Sequence, residues 1–303
     1  MINSLKRVMN GFHRYFLVFA VIFGASAVTR ADQISTDLGT VGPNNYGIFF
    51  LSTASNPHMN YGTNVDNIGL DGGQLNLDNP GTIVGNLYLS SGSIFQNTST
   101  LTGTIFYNQN LSQPNNDAAT AYSTFNSLAA TQTVCGTPPC SITGTTTING
   151  TSGAVNVIKL AGINLNNATL TLNGTPGTQF VIDVSGNMNV QSGSTINLTG
   201  GLSIDDVVFN VAGSVSTSGA PAGSEVIHGI VLDPTGSIQL SNGFIDGELI
   251  AGGSSIQIVS GSYVDQVSTP EPSSILMLGF GLIGLLGLSR AKAAASVFSA
   301  TLN

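Results

Sequence analysis

Phe180–Val215 reads F-V-I-D-V-S-G-N-M-N-V-Q-S-G-S-T-I-N-L-T-G-G-L-S-I-D-D-V-V-F-N-V-A-G-S-V, and its pattern indicates the fold class. Apolar residues alternate with Ser, Thr, Asn and Asp, and Gly falls between the short runs. Such period-two alternation bounded by Gly is typical of half-buried β-strands. The phrase that begins at Val181, V-I-D-V-S-G-N-M, returns 27 residues later at Val208 as V-F-N-V-A-G-S-V. A returning phrase indicates repeated structural units.

The same rhythm extends over Gly144–Val267, with a second theme. S-I-Q-L-S-N-G at Ser237 and S-I-Q-I-V-S-G at Ser255 lie 18 residues apart, and T-I-N-L-T-G at Thr195 is similar. Loose repeats of 18–27 residues, each with two or three short strands, predict a mainly β fold: a β-helix or solenoid of irregular coils. The alternative is a β-sandwich, in which strands recur every 8–12 residues without echoes of one phrase.

One segment follows a helical period instead. Within Asn115–Gln132, apolar residues recur at i, i+3, i+4 and i+7, which predicts a helix at about 116–131. Asn116 or Asp117 is positioned to cap its N-terminus. Because the apolar stripe is narrow, we expect this helix to flank the β structure and to be the only helix in the mature body.

Cys135 and Cys140 follow this helix in C-G-T-P-P-C and are the only cysteines of the chain. An exported chain meets an oxidising compartment, so we expect a local disulfide rather than free thiols. A metal site would need two more ligands, and no further cysteine exists to supply them.

Charge is scarce and one-sided in the body of the chain. Between residues 32 and 289 a single cation, Lys159, stands against all 15 acids, a formal charge of −14. Such a surface cannot neutralise a row of phosphates, so nucleic acid is excluded as a partner. The abundant Val, Ile, Leu and Phe exclude disorder and supply one substantial β-rich core.

The start of the chain has the order of a secretory signal. Lys6, Arg7 and Arg14 precede an apolar run, Tyr15–Ala25, and small residues follow. We therefore expect a signal helix in residues 1–31, with an uncleaved N-terminal anchor as the alternative. The two candidate cleavage positions follow Ala27 and Ala31.

The other end of the chain, Thr269–Lys292, joins a Pro-Glu-Pro tripeptide to an uncharged run, Ile275–Leu288, and then to two cations. The 14 residues of that run would form a helix of about 21 Å, shorter than the roughly 30 Å of bilayer hydrocarbon. The acid before this hydrophobic helix and the cations after it place the body outside the cytoplasm. The residues that define the segment are Pro270, Glu271, Pro272, Arg290 and Lys292.

This order of features resembles the PEP-CTERM sorting signal of bacteria that make exopolysaccharide matrices. The resemblance implies recognition by an exosortase, transient insertion in the inner membrane, and transfer to the cell surface or extracellular matrix of a Gram-negative-type bacterium. A plain C-terminal membrane anchor is the alternative. The expected organisation is a signal peptide at 1–31, a secreted domain at 32–268, a sorting segment at 269–292 and a short tail at 293–303.

The body resembles the ice-binding-like β-helix family of microbial secreted proteins, most clearly over Phe180–Ser260, because a helix is inserted among β coils of this pattern. The likeness extends over about Leu70–Val267 and implies a β-helix. Near its end the family tends to carry Gly-Arg before a Leu-Ala pair, where this chain has Gly247-Glu248 before Leu-Ile-Ala.

Residues with catalytic potential are few. His228 lies in a strand pattern, His58 is expected in a loop, and Asp205-Asp206 reads as a turn before a strand. The chain has no G-x-S-x-G, metal-spaced His pair or P-loop, and the body lacks the basic residues of polysaccharide lyases. We therefore expect no cofactor, no metal and no enzymatic activity; a calcium-binding turn at Asp71 or Asp233 lacks a supporting motif.

A binding surface is the more plausible functional feature. Outward rows of Thr, Ser and Asn on flat β-helix faces can order water or hydrogen-bond sugars. The first expectation is a structural or adhesive surface protein; the alternatives are ice binding and, third, a carbohydrate-active enzyme. The candidate rows are Thr145 and Thr147, Thr169 and Thr171, Asn187 and Asn189, and Ser214 and Ser216.

Overall fold

The computed structural model describes residues 33–43, 45–60, 63–64, 66–78, 81–135, 139–219 and 225–265. All of them lie within the first of the two units into which the chain divides, Met1–Gln266. The expected signal helix and C-terminal hydrophobic helix fall outside the described residues. Within the described ranges, no helix combines the length and the apolar character needed to cross a bilayer.

The described chain is a three-sided β-helix. Its strands form one 17-stranded and one nine-stranded sheet, and the larger sheet bends at a corner to make two of the three faces. The long strand β13 (Val155–Asn166) passes through that corner, so its two halves belong to different faces. The prediction of a mainly β solenoid is confirmed. The sandwich alternative is wrong, because neighbouring strands pair in parallel, as in stacked coils.

We name the faces by number. Face 1 contains β1 (Ile48–Phe50), β4 (Ile68–Leu70), β7 (Leu87–Leu89), β10 (Ile105–Phe106), β15 (Gln179–Val184), β18 (Val207–Val211), β21 (Ile230–Asp233) and β24 (Leu249–Ala251). Face 2 contains β2 (His58–Asn60), β5 (Gln74–Asp78), β8 (Ser93–Asn97), β11 (Cys140–Ile142), β16 (Met188–Gln191), β19 (Val215–Ser218), β22 (Ile238–Ser241) and β25 (Ile256–Val259). Face 3 contains β3 (Thr63–Asn64), β6 (Thr82–Ile83), β9 (Thr100–Leu101), β12 (Thr146–Asn149), β14 (Thr169–Asn173), β17 (Thr195–Thr199), β20 (Glu225–His228), β23 (Gly243–Asp246) and β26 (Tyr263–Asp265).

The sequence echoes are stacked neighbours. Val181 lies opposite Val208 on face 1, and Ile238 lies opposite Ile256 on face 2. The third copy of the second theme, at Thr195, belongs to face 3 instead. A repeated phrase therefore predicts that two strands are stacked neighbours only where the turns beside the strands also have the same length.

The coils do not stack in chain order. β1 pairs with β4 on one side and with β24 on the other, and β2 lies between β5 and β25. The N-terminal coils thus continue the stack below the last C-terminal coil. The terminal strands are β8, β9 and β10 at the lower end and β11 and β12 at the upper end.

Two apolar cores stabilise this arrangement. Inward residues of all three faces fill the solenoid, among them Phe50, Phe180 and Phe209, each 0% exposed. A second core lies on the outer side of face 1, where Val181, Val208 and other strand residues pack against the helices.

Two α-helices cover face 1. α1 spans Gln33–Leu38 and continues as a 3₁₀ turn, Gly39–Val41; α2 spans Ser112–Ser127. The flanking position of α2 agrees with the prediction, but the helix begins and ends four residues before the predicted bounds, and α1 is a second helix that was not predicted.

The predicted caps of α2 were wrong, because the helix starts before them. Pro114 stands in the first helical turn, where a missing N–H costs nothing. Asn110 Oδ1 accepts hydrogen bonds from the N–H and hydroxyl of Ser112 instead. Asp117 accepts from the N–H of Thr40 at 2.8 Å and from its hydroxyl at 2.6 Å, so it joins the two helical segments.

Glycines form a column at the corner that leads from face 1 to face 2. Gly186, Gly213, Gly236 and Gly253 stack on successive coils. A Cβ on Gly213 would meet the carbonyl oxygen of Gly186, and one on Gly236 would meet that of Gly213. The close approach of the coils at this corner therefore requires residues without side chains.

Candidate binding face

Faces 2 and 3 present their outward strand side chains to solvent, whereas α1 and α2 cover much of face 1 and leave Phe106 at its lower end exposed. Within faces 2 and 3, outward positions alternate with the buried residues of the core. A ligand-binding surface of the described solenoid therefore belongs to face 2 or face 3.

The upper three coils of face 3 carry a regular block of hydroxyl and amide side chains. Register places Thr147 opposite Thr171 and Thr171 opposite Asn197. The outward rows on either side of this one cross the same three coils. Between them Ile148, Leu170, Leu172 and Ile196 point into the core. We call the block the threonine–asparagine array: Thr145, Thr147, Asn149, Thr169, Thr171, Asn173, Thr195, Asn197 and Thr199.

Hydrogen bonds between coils hold the outer rows of the array. The hydroxyl oxygens of Thr169 and Thr195 lie 3.3 Å apart, and Asn173 Nδ2 donates to Asn149 Oδ1 at 2.8 Å. Thr199 donates its hydroxyl to Asn173 Oδ1 at 3.1 Å. The middle row lies between these two ladders. In a parallel sheet, neighbouring side chains within one such row are about 4.8 Å apart, and successive rows along the strands are about 6.6 Å apart.

The middle coils of face 3 differ in chemistry. Below the array, the row that contains Thr195 continues with Val226, Phe244 and Tyr263. The rings of Phe244 and Tyr263 stack with their centroids 3.9 Å apart. In the adjacent row, His228 Nδ1 lies 2.7 Å from Asp246 Oδ2. This aromatic pair ends the flat hydroxyl surface.

Face 2 is rich in amides. Asn189 lies opposite Asn164 and Ser216, and Gln239 lies opposite Gln257. Ser216 donates its hydroxyl to Asn189 Oδ1 at 2.8 Å. The predicted rows therefore do not share one surface: the four threonines belong to face 3, whereas Asn189 and Ser216 belong to face 2.

The remaining candidates of those rows are turn residues. Asn187 precedes β16 and accepts a hydrogen bond from the N–H of Ser214 at 3.0 Å, across neighbouring coils. Its amide oxygen is therefore used for coil-to-coil contact rather than presented to a ligand.

The predicted disulfide forms, and both histidines of the body lie in strands. Cys135 and Cys140 form a disulfide, and Cys140 packs against the upper end of the core. His228 is a strand residue, as predicted. His58 was predicted in a loop, but it lies in β2 because the short H-M-N run pairs on both sides, and its Nε2 lies 2.7 Å from Asp78 Oδ2.

The acids considered for chemistry have structural contacts. Asp206 Oδ2 accepts hydrogen bonds from the N–H and hydroxyl of Ser203, which caps the 3₁₀ turn Ile204–Asp206 before β18. Asp233 Oδ1 accepts from the N–H groups of Thr235 and Gly236, and burial raises the pKa of Asp233 to about 7. Among the described residues, no group of three His, Cys, Asp or Glu side chains is arranged to hold a metal.

Glu248 is a buried carboxyl group. The sequence identified it only as a departure from the Gly-Arg pattern of the family. It is 0% exposed, and neither carboxylate oxygen has a hydrogen-bond partner among the described residues. It precedes the inward Leu249, so its side chain is on the covered side of face 1, with Ile250. Burial raises the pKa of Glu248 well above its usual value, and Asp205 and Asp66 add to the effect.

Comparisons with known proteins agree with this fold. The solenoid is similar to an ice-binding protein from an Antarctic biological consortium, with 20% identity, 75% of this chain and 89% of that chain covered, and a TM-score of 0.52. For the ice-binding protein of the Antarctic ascomycete Antarctomyces psychrotrophicus, the values are 20%, 77%, 98% and 0.51. For the DUF3494 domain of Shewanella frigidimarina ice-binding protein 1 they are 17%, 77%, 97% and 0.52.

At these identities the structural likeness shows the fold alone. A search of curated proteins finds no match. The model of the PEP-CTERM protein-sorting motif matches residues 268–291, and the ice-binding-like family model matches residues 73–262, well over half of the chain. The chain therefore belongs to the ice-binding-like family and carries a PEP-CTERM sorting motif at residues 268–291.

Proposed function

We propose that this protein is an exported bacterial surface protein that binds ice through the threonine–asparagine array and catalyses no reaction. The observation that carries the proposal is the array itself: nine outward Thr and Asn side chains on three stacked coils, with no charged side chain among them. The solved proteins that share the fold are named as ice-binding proteins, which supports the same reading.

The chemistry of the array suits a surface of ordered water. Threonine combines a methyl group, which restricts the orientation of neighbouring water molecules, with a hydroxyl that donates and accepts hydrogen bonds. The ladders that join Thr169 to Thr195 and Asn149 to Asn173 fix their side chains before a ligand arrives. Preorganised groups lose little conformational entropy on binding, so many weak contacts add up.

The dimensions of the array limit its strength. Three coils span two inter-strand spacings, or about 10 Å. The aromatic pair Phe244–Tyr263 then interrupts the flat surface farther down face 3. We therefore propose modest ice activity, suited to a protein concentrated at a surface.

The sorting motif supplies the destination. We propose that the signal peptide is removed on export by cleavage after Ala27 or Ala31, and that an exosortase-type enzyme recognises Pro270, Glu271 and Pro272 before removing the hydrophobic segment. The experiment is to locate the protein in cells with and without residues 269–303. Loss of surface attachment in the shortened chain supports sorting; attachment without residues 269–303 contradicts it.

Ice activity is tested with purified residues 32–268, which contain every described strand and both cores. Thermal hysteresis and inhibition of ice recrystallisation are the two readouts. Activity in either assay supports the proposal, and inactivity in both at high protein concentration contradicts it.

A second candidate, adhesion to matrix polysaccharide, is favoured by the middle coils of face 3. Partly exposed Phe244 and Tyr263 lie beside His228, Asp246 and Asp265, a combination of apolar rings and hydrogen-bonding groups that suits sugars. Retardation of residues 32–268 in gels that contain a neutral glucan, lost in Phe244→Ala with Tyr263→Ala but kept in Thr171→Tyr, would establish it. Equal mobility with and without the glucan would exclude that polymer.

A further inference from the structure

Within the part of the chain that the structure describes, the lower end of the solenoid is an open end. β8, β9 and β10 each pair with one neighbour in the described residues, β5, β6 and β7 respectively, so one edge of each strand has no partner there. Unpaired strand edges expose rows of backbone donors and acceptors that readily pair with another strand. Repeat proteins ordinarily close such ends with polar capping units.

The hydrophobic surface of the described chain is concentrated at the same end. Its four exposed large hydrophobic side chains are Val84, 41% exposed; Phe95, 50%; Phe106, 39%; and Tyr107, 57%. Phe95 lies on face 2, Phe106 on face 1 and Val84 on face 3, so they surround the last two coils. Clustered exposed apolar residues mark interaction sites.

The core residues of the last coil are incompletely covered. Ile94, Leu101 and Ile105 are only partly buried, whereas their partners one coil above, Leu75, Ile83 and Leu87, are each 0% exposed. The upper end differs, because Ile142 and Ile148 of its terminal strands are only 5% and 4% exposed. Among the described residues, the core at the lower end is thus less well covered than the core at the upper end.

Charge does not oppose contact at this end. The body carries a formal charge of −14 between residues 32 and 289, yet no charged residue lies between Asp78 and Asp117. Two copies that approach through the middle coils, where Asp246 and Asp265 lie, bring acids together, which costs free energy at low ionic strength. Two lower ends meet without that repulsion.

We propose that the lower ends of two copies of this chain stack end to end and form a homodimer. Three strand edges arranged around one apolar centre need a partner with the same three-sided arrangement, and the lower end of a second copy provides it. A two-fold axis would make the meeting edges antiparallel, which edge strands accept, and would use one patch on both subunits.

The test is sedimentation equilibrium of residues 32–268 with two matched double variants. Phe95→Lys with Phe106→Lys adds charges at two exposed positions of the open end. Gln239→Lys with Gln257→Lys adds the same charges at exposed positions of face 2 in the middle of the stack. We expect the end variant to raise the dimer Kd at least about 100-fold and the control to leave it within about threefold.

Hydrogen exchange distinguishes this dimer from one formed elsewhere. Amides of Ser93–Asn97 should exchange more slowly at concentrations where the protein is dimeric, and faster on dilution, while circular dichroism shows that both variants stay folded. A wild-type protein that remains monomeric overturns the proposal. So does a dimer that the end variant leaves intact.

Discussion

Lys159 Nζ lies 2.7 Å from Asp183 Oδ2, and the two residues stand opposite each other on β13 and β15. The same ammonium donates to the carbonyl oxygen of Asn126, near the end of α2, at 2.7 Å. Asp183 is 9% exposed and also accepts a hydrogen bond from Asn210. The single lysine of the body therefore neutralises a buried acid and joins the helix to the solenoid.

Lys159→Met should lower the free energy of unfolding by about 1–3 kcal/mol, because the variant leaves the Asp183 carboxylate without its counter-ion. Urea unfolding measures the change. Asp183→Asn in the same chain removes the buried charge, so the double variant should recover part of the loss. If both variants are equally destabilised, the ion pair is not the cause.

Glu248→Gln should stabilise the protein near neutral pH. The pKa of Glu248 is raised in the fold, so the folded state keeps a proton that the unfolded state has already lost. Wild-type stability must then fall as pH rises through the unfolded pKa towards the folded one, and it stays reduced above that pKa.

The neutral amide of Glu248→Gln does not titrate, so it removes this loss of stability with rising pH. The difference in stability between Glu248→Gln and wild type should grow as the pH rises above about 4.3, the usual pKa of Glu, and vanish towards about pH 3, where the carboxyl group is protonated in both the folded and the unfolded state. Denaturation at several pH values measures it. An equal difference at every pH would show that protonation of Glu248 is not coupled to folding.

Gly213→Ala should destabilise the fold by about 1–3 kcal/mol, the usual cost of overpacking. The new Cβ would meet the Gly186 carbonyl oxygen where successive coils approach. Gly144→Ala is the matched control, since a Cβ there has no neighbour within 4 Å. Thermal unfolding should separate the two variants; equal melting temperatures would contradict the requirement for glycine at this corner.

Replacing Cys135 and Cys140 together by serine should cost about 2 kcal/mol, the chain-entropy value for so short a loop. Cys140 packs against the core in β11, at the upper end of the solenoid and next to the coil that begins the array. Comparison of unfolding midpoints for this variant and for reduced wild-type protein measures the contribution. A variant as stable as the oxidised protein would show that the cross-link adds nothing.

The strand pattern was predictable wherever coils repeat a phrase. Val181 and Val208 share apolar pattern and turn length, so their pairing followed from the sequence. The pairing of β1 with β24 did not, because I-F-F and L-I-A share no phrase and lie about 200 residues apart in the sequence. Stacking out of chain order is a tertiary property that local repeats do not encode.

The candidate site was predictable only in part. Alternation identified Thr147, Thr171 and Asn189 as outward residues, yet it could not assign them to faces. Coil lengths vary, so the number of residues between two outward positions does not fix the corner between them. Asn149, Asn173 and Asn197 complete the array only once the register across β12, β14 and β17 is known.

Ice binding through the array is tested by the thermal hysteresis of residues 32–268 carrying Thr171→Tyr, compared with Asn189→Tyr and wild type. Thr171 lies in the middle of the array on face 3, and Asn189 is a similarly placed strand residue of face 2. The proposal predicts that Thr171→Tyr loses most of the wild-type activity while Asn189→Tyr keeps it. Equal activity of Thr171→Tyr and wild type, or no activity in wild type itself, would contradict ice binding through the array.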